Sequence, residues 1–155
     1  MDFMAYLKDL SEYNYNKKFY VACTKAVGWL DSTQDYEKEV ASERTLDLLW
    51  EFCSISVAQS RGLHECEFCI PEKIIYAERQ GVKLLLGGAE IRVFAPSGDI
   101  YAAPTLIYHY VQAHQYKLPS EFMLALYEGP RSPNHLYFEK LRAIKLDWDT
   151  TTTGK

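Results

Sequence analysis

Two pairs of side chains, far apart in the chain, set the strongest condition on any fold this sequence can adopt. Cys66 and Cys69 are separated by two residues, and His109 and His114 by four. A two-residue spacing lets two thiols grip one metal ion from a tight turn. The histidine spacing falls within the range seen at structural zinc sites. The stretch from Cys69 to His109 is long for a zinc finger, so a shared ion would sit inside a larger domain. His64, two residues before Cys66, is an alternative ligand. On an ideal helix, positions i and i+5 lie about 140° apart. Both histidines reach one ion only if the turn around Gln112 and Ala113 tightens or widens, or if a ligand sits at the helix end.

The segments between and around these pairs have readable periods. Leu46, Leu49, Trp50 and Cys53 repeat at i, i+3, i+4 and i+7, which predicts a helix with Cys53 on its buried stripe. Ser42 precedes that helix as an N-cap. Phe3, Tyr6, Leu7 and Leu10 have the same spacing and predict a short helix at the start of the chain. A strand is expected near Val27-Gly28-Trp29-Leu30.

Lys83 to Phe94 is strand-like, with Glu90-Ile91-Arg92-Val93 alternating as a half-buried strand does. Ala95-Pro96-Ser97-Gly98-Asp99 is a turn, and Ile100-Tyr101-Ala102 returns, closing a hairpin over about 84–102. Pro104 opens a helix carrying Leu106, Ile107, Tyr110, Val111 and His114 on one stripe. Further helices run from Pro119 toward Gly129 and from Ser132-Pro133 to about Lys145. The expected fold is α+β: one compact domain over 1–148, with a small antiparallel sheet packed by about five helices, and a disordered tail over 149–155.

At 155 residues, nearly half of them apolar, the chain can bury a core without disulfide staples. Its formal net charge is −4. No stretch clusters Lys and Arg as a phosphate-binding face does, which argues against nucleic acid as a partner. No run of eighteen apolar residues exists, so no membrane-spanning helix is expected. Met1-Asp2-Phe3-Met4 lacks a basic segment followed by an apolar block, so a cytoplasmic location is expected and the four cysteines are read as thiols or ligands. Twelve tyrosines suit both core edges and contact surfaces.

Several segments resemble those of a family of small bacterial proteins of unknown function. They are Tyr6-Leu7-Lys8-Asp9-Leu10, Val27-Gly28-Trp29-Leu30 and His64-Glu65-Cys66-Glu67-Phe68-Cys69. With them goes Ala103-Pro104-Thr105-Leu106-Ile107-Tyr108-His109-Tyr110-Val111-Gln112-Ala113-His114-Gln115-Tyr116. The family carries Pro-Pro-x-x-Phe after the second histidine. Here Leu118 stands in place of the first proline. The resemblance spans roughly residues 4–130 and implies one domain without a known activity.

The familiar catalytic patterns are absent from the sequence. A zinc deaminase needs His-x-Glu ahead of its Cys-x-x-Cys, and His64-Glu65-Cys66 does not supply it. His-Glu-x-x-His, Gly-x-Ser-x-Gly, a P-loop and Gly-x-Gly-x-x-Gly are missing. A redox Cys-x-x-Cys would open a helix after a strand, and no such frame is readable. Thiol–imidazole nucleophile pairs, Cys66 with His109 or Cys69 with His114, remain conceivable. So does the plain alternative of partly buried thiols, a core His114 and a surface His109. Glu65, Glu67, Glu72, Glu90 and Asp99 read as a solvated acidic surface.

The sequence therefore points to a non-enzymatic intracellular domain that binds another protein. An immunity-type protein neutralising a toxin is its most concrete form, with a zinc site at Cys66, Cys69, His109 and His114. The alternative is a zinc-dependent or thiol enzyme acting on a small molecule.

Overall fold

The computed structural model describes residues 6–14, 21, 23–59 and 62–149. Among these residues there are seven strands and four helices. The first strand, β1 (Thr24–Ala26), precedes helix α1 (Glu43–Cys53) and strands β2 (Ser56–Val57), β3 (Ile75–Arg79) and β4 (Val82–Leu86). Then come β5 (Glu90–Phe94), β6 (Ile100–Pro104), α2 (Ile107–His114), α3 (Ser120–Glu128), α4 (His135–Ala143) and β7 (Trp148–Asp149).

Five strands form one sheet in the order β1-β6-β5-β2-β7, and β3-β4 is a separate two-stranded ribbon. The hairpin expected from the alternating pattern is β5-β6, with Arg92 opposite Ala102. Its sheet is mixed rather than antiparallel, because β1 lies parallel to β6 with Ala26 beside Ala102. The ribbon turns on Gln80-Gly81, both at positive φ (54° and 77°). Two such residues make the tight hairpin connection whose twist matches the strands, and glycine takes that backbone without strain.

Helix α1 forms for the reasons its sequence carries. Ser42 Oγ accepts the Thr45 backbone N–H, and Leu46, Leu49, Trp50 and Cys53 are all buried. Leu106, Ile107, Tyr110 and Val111 of the α2 segment are buried as well. These two helices pack on each other, and α1 and α3 pack on β5. Tyr101, Tyr108, Tyr110 and Tyr116 are buried core residues.

Among the described residues four helices pack this fold, not about five, and the expected first one is not among them. Phe3 lies outside the described residues. Tyr6, Leu7 and Leu10 run instead along β1 as an irregular strap. The strap's bonds explain the difference. Leu7 N–H donates to Trp29 O, Leu10 N–H to Ala26 O and Tyr13 N–H to Thr24 O, while Ala26 N–H donates back to Ser11 O. Leu10 also has φ of 68°, which no helix continues through. An apolar spacing of three and four satisfies a helix face and an irregular strap alike.

The strand expected at 27–30 lies just upstream, over Thr24–Ala26. Lys83 to Phe94 is two strands, β4 and β5, parted at Gly87-Gly88. Residues 150–155, expected as tail, lie outside the described residues, whereas Asp149 pairs with Ser56 across β7 and β2.

Strand β5 is buried on both faces. Its polar residues, Glu90 and Arg92, were expected on a solvated side. They are covered because Tyr13 on the strap lies over them. Tyr13 Oη donates to Glu90 Oε1 and Oε2 at 2.8 and 2.9 Å. Arg92 Nη1 bonds Glu90 Oε1 at 2.8 Å, and its guanidinium stacks 4.9 Å from the Tyr13 ring centre. From α4, Tyr137 Oη donates to the Arg92 carbonyl.

Candidate metal centre

Residues 62–73 form the loop that carries the two cysteines. It has no regular secondary structure, so its shape depends on a few specific ties. His64 N–H donates to Gly87 O, and Cys66 N–H donates to Lys73 O, closing the loop on itself. Gly87 permits the first tie. Its φ is 101°, and a side chain there would place Cβ 2.5 Å from His64 O. Glu67 Oε1 accepts from both the backbone N–H and the hydroxyl of Ser32. Phe68 inserts between Tyr36, Tyr110 and His114, with ring centres 5.4–5.7 Å apart. Tyr36 in turn donates its hydroxyl to His114 O.

Helix α2 brings its two histidines to this loop by opening its last turn. Gln115 takes a left-handed conformation, and its N–H reaches Tyr110 O five residues back. Tyr116 N–H reaches the same carbonyl from six residues on. A turn wider than the α-helical i−4 spacing carries positions 109 and 114 toward one face. Their ring centres are 4.9 Å apart.

One nitrogen or sulfur atom from each of Cys66, Cys69, His109 and His114 lies within 4.8 Å of the other three. Cys66 Sγ is 3.5 Å from His114 Nε2, Cys69 Sγ is 3.4 Å from His109 Nε2, and Cys69 Sγ is 3.6 Å from His114 Nε2. A zinc ion with bonds of ~2.3 Å to sulfur and ~2.0–2.1 Å to nitrogen has sulfur–nitrogen edges of about 3.6 Å when tetrahedral. The donor atoms therefore already stand at the spacing a tetrahedral ion needs. The set is soft, two sulfurs and two imidazoles, which suits zinc over calcium or magnesium.

The surroundings also suit ligation. Burial holds His109 down at about 4, helped by the neighbouring His114 and Lys73, and burial lowers His114 as well. Both imidazoles are neutral near pH 7, the state that donates a lone pair. Burial pushes the Cys66 thiol up to about 11. It carries a proton until a cation displaces it, so metal uptake releases protons.

The structure brings together all four residues picked out by the Cys-x-x-Cys and His spacings. His64, the alternative ligand, is not in the group and serves the loop through its backbone. Among the described residues this is the one such group of His, Cys, Asp or Glu. Cys53 is a core residue whose thiol faces Thr105 O. Phe68, Tyr36 and Gly87 support the site and were not picked out from the sequence. The only signal at Gly87 was its position in a Gly-Gly pair, which reads as a turn.

His109 also lines an open groove of about 560 Å³ between β3 and helices α1 and α2. Lys73, Arg79, Tyr108 and Gln112 share it. Arg79 is engaged there by Glu43 and Asp47 at 2.7 and 2.8 Å. No helix among the described residues is long and apolar enough to cross a membrane.

No curated protein matches this chain, and no solved structure does. A family model matches residues 5–127, the strap, strands β1 to β6 and the whole metal centre included, and the chain belongs to that family, described as Domain of unknown function (DUF7919).

Proposed function

We propose that this chain is a non-catalytic cytoplasmic domain that recognises another protein, with its fold stapled by one zinc ion on Cys66, Cys69, His109 and His114. The observation that carries the zinc role is the completeness of the ligand set, four protein donors within 4.8 Å of one another. Catalytic zinc keeps a position open for water or substrate, whereas structural zinc is closed by four protein ligands. A binding role is supported by the surface. Leu124 and Tyr127 are exposed on α3, and Val40, 78 % exposed, borders the groove that Tyr127 also lines. Glu39 and Lys117 line the same groove. This exposed apolar surface favours a partner with an apolar contact.

The concrete form of the proposal is a bacterial immunity-type protein that neutralises a toxin. Its family signature would be His64-x-Cys66-x-x-Cys69 followed by the Ala103–Tyr116 segment. The experiment is co-expression with the products of the adjacent genes. Co-purification with one of them, lost in Leu124→Asp and Tyr127→Asp variants and accompanied by loss of that product's toxicity, supports the proposal. Absence of any complex contradicts it.

The groove beside His109 favours a second reading, a zinc-dependent or thiol enzyme acting on a small molecule. Its thiol form is the weaker, since burial keeps Cys66 protonated where a nucleophile requires a thiolate. Its zinc form predicts three protein ligands and one exchangeable water on the loaded metal, which X-ray absorption distinguishes from four protein ligands.

A further inference from the structure

Cys66 and Cys69 differ in reach. Cys66 is fully buried, while Cys69 is half-buried. Both sulfurs stand within 3.6 Å of the same nitrogen, His114 Nε2, and within 4.8 Å of each other. With two residues between them on a loop without regular structure, they can close to disulfide distance, ~2.05 Å, by side-chain movement and a small loop adjustment. His109, 3.4 Å from Cys69, forms part of the wall of the open groove, which is wide enough to admit a small oxidant. Cys23 and Cys53 belong to no such group among the described residues.

We propose that Cys66 and Cys69 are an oxidant-sensitive pair, and that a hydroperoxide converts them to a disulfide and so expels the zinc. This rests on the zinc reading above. The chemistry closes without further reagents. The Cys69 thiolate attacks one peroxide oxygen, an S–O bond forms, the O–O bond breaks and hydroxide leaves. Cys69 is now a sulfenic acid, oxidised by two electrons, and the peroxide is reduced. The Cys66 thiolate then attacks the Cys69 sulfur. The S–S bond forms, and the second hydroxide leaves. Two protons from solvent convert both hydroxides to water, and Zn²⁺ departs with its two positive charges. Two neutral imidazoles remain, too few to hold the ion.

The fold makes the consequence local first. Once the ion has gone, the loop still has the His64–Gly87 and Cys66–Lys73 backbone bonds, the Glu67–Ser32 bonds and the Phe68 ring contacts. Cys66 Sγ and Cys69 Sγ turn toward each other and away from His114, so Phe68, which shares the loop, shifts in its aromatic box.

The test uses the full chain loaded with one equivalent of zinc. Hydrogen peroxide is added in the presence of a chromogenic zinc chelator, and the product is analysed by mass spectrometry after alkylation. The expected result is one zinc released per disulfide, with a loss of two hydrogens mapped to the peptide holding Cys66 and Cys69. A dithiol reductant plus zinc restores the starting state, and a Cys23→Ser variant behaves as the parent does. Zinc retained under excess peroxide overturns the proposal, as does release with sulfinic acid at Cys69 and no disulfide. A chain that takes up no zinc at all fails the zinc reading itself, and this proposal falls with it.

Discussion

Replacing Arg92 with leucine tests how β5 tolerates charge in its interior. The side chains of Arg92 and Glu90 are 1 % and 5 % exposed and 2.8 Å apart. Burial raises Glu90, while Arg92 and the Tyr13 hydroxyl pull it back down. In Arg92→Leu, Glu90 keeps the Tyr13 bonds and loses its counter-charge. Breaking one side of a buried pair costs about 3–5 kcal/mol, because the remaining charge is left uncompensated. One nitrogen of Arg92, Nη2, already lacks a hydrogen-bond partner, so the native pair is itself not fully satisfied. A neutral pair, Arg92→Leu with Glu90→Gln, should therefore recover more than half of the single-variant loss, with a coupling of at least about 1 kcal/mol. Urea denaturation of the parent, both single variants and the double variant measures this. The sign with pH follows. Without Arg92 the folded-state value of Glu90 rises further, so the variant's deficit is small below the unfolded carboxylate value and grows as pH rises through the folded one. A single-variant loss under about 1 kcal/mol, additive losses, or a deficit that grows on acidification would each refute the account.

Leu49 is fully buried on α1, and Leu49→Ala should cost about 2–5 kcal/mol in chemical denaturation. In metal-free protein, His109 and His114 titrate below their ordinary value. Stability is then full above about pH 6.5 and falls as pH drops toward the folded values, since the unfolded chain binds protons first. Urea titrations of chelator-treated protein at about pH 7.5 and about pH 5 check this, and unchanged or rising stability would contradict it. Gly87→Val places a side chain against His64 O and should lower zinc affinity as well as stability, read by competition with a chromogenic chelator. Mixed duplex and single-stranded nucleic acid should not bind at physiological salt, and salt-sensitive micromolar retention on a filter would contradict this.

The parts of the fold that were legible in the sequence are those whose periods have a single structural solution. Ser42 followed by Leu46, Leu49, Trp50 and Cys53 is a cap and a helix face. The alternation over 90–94 with a Pro-Ser-Gly turn is a hairpin strand. The ligands were legible through spacing and donor chemistry. What was hidden depends on partners distant in sequence. Tyr6, Leu7 and Leu10 carry a helix-like spacing that the strap satisfies by pairing with 24–29. Glu90 and Arg92 look like solvent-facing residues until Tyr13, far away in sequence, covers them. The two-residue strands β2 and β7 are too short for any period. The wide turn that aligns His109 with His114 depends on the left-handed Gln115, and glutamine announces no such conformation.

The central claim is that Cys66, Cys69, His109 and His114 hold one zinc ion as a closed set. Zinc K-edge X-ray absorption on protein purified without chelator tests it most directly, alongside elemental analysis of Cys66→Ser and His114→Ala. The account predicts about one zinc per chain with two sulfurs near ~2.3 Å and two nitrogens near ~2.0–2.1 Å. It predicts that both variants lose the metal and much of their stability. A metal-free parent of full stability, or a first shell of oxygen ligands, would contradict it.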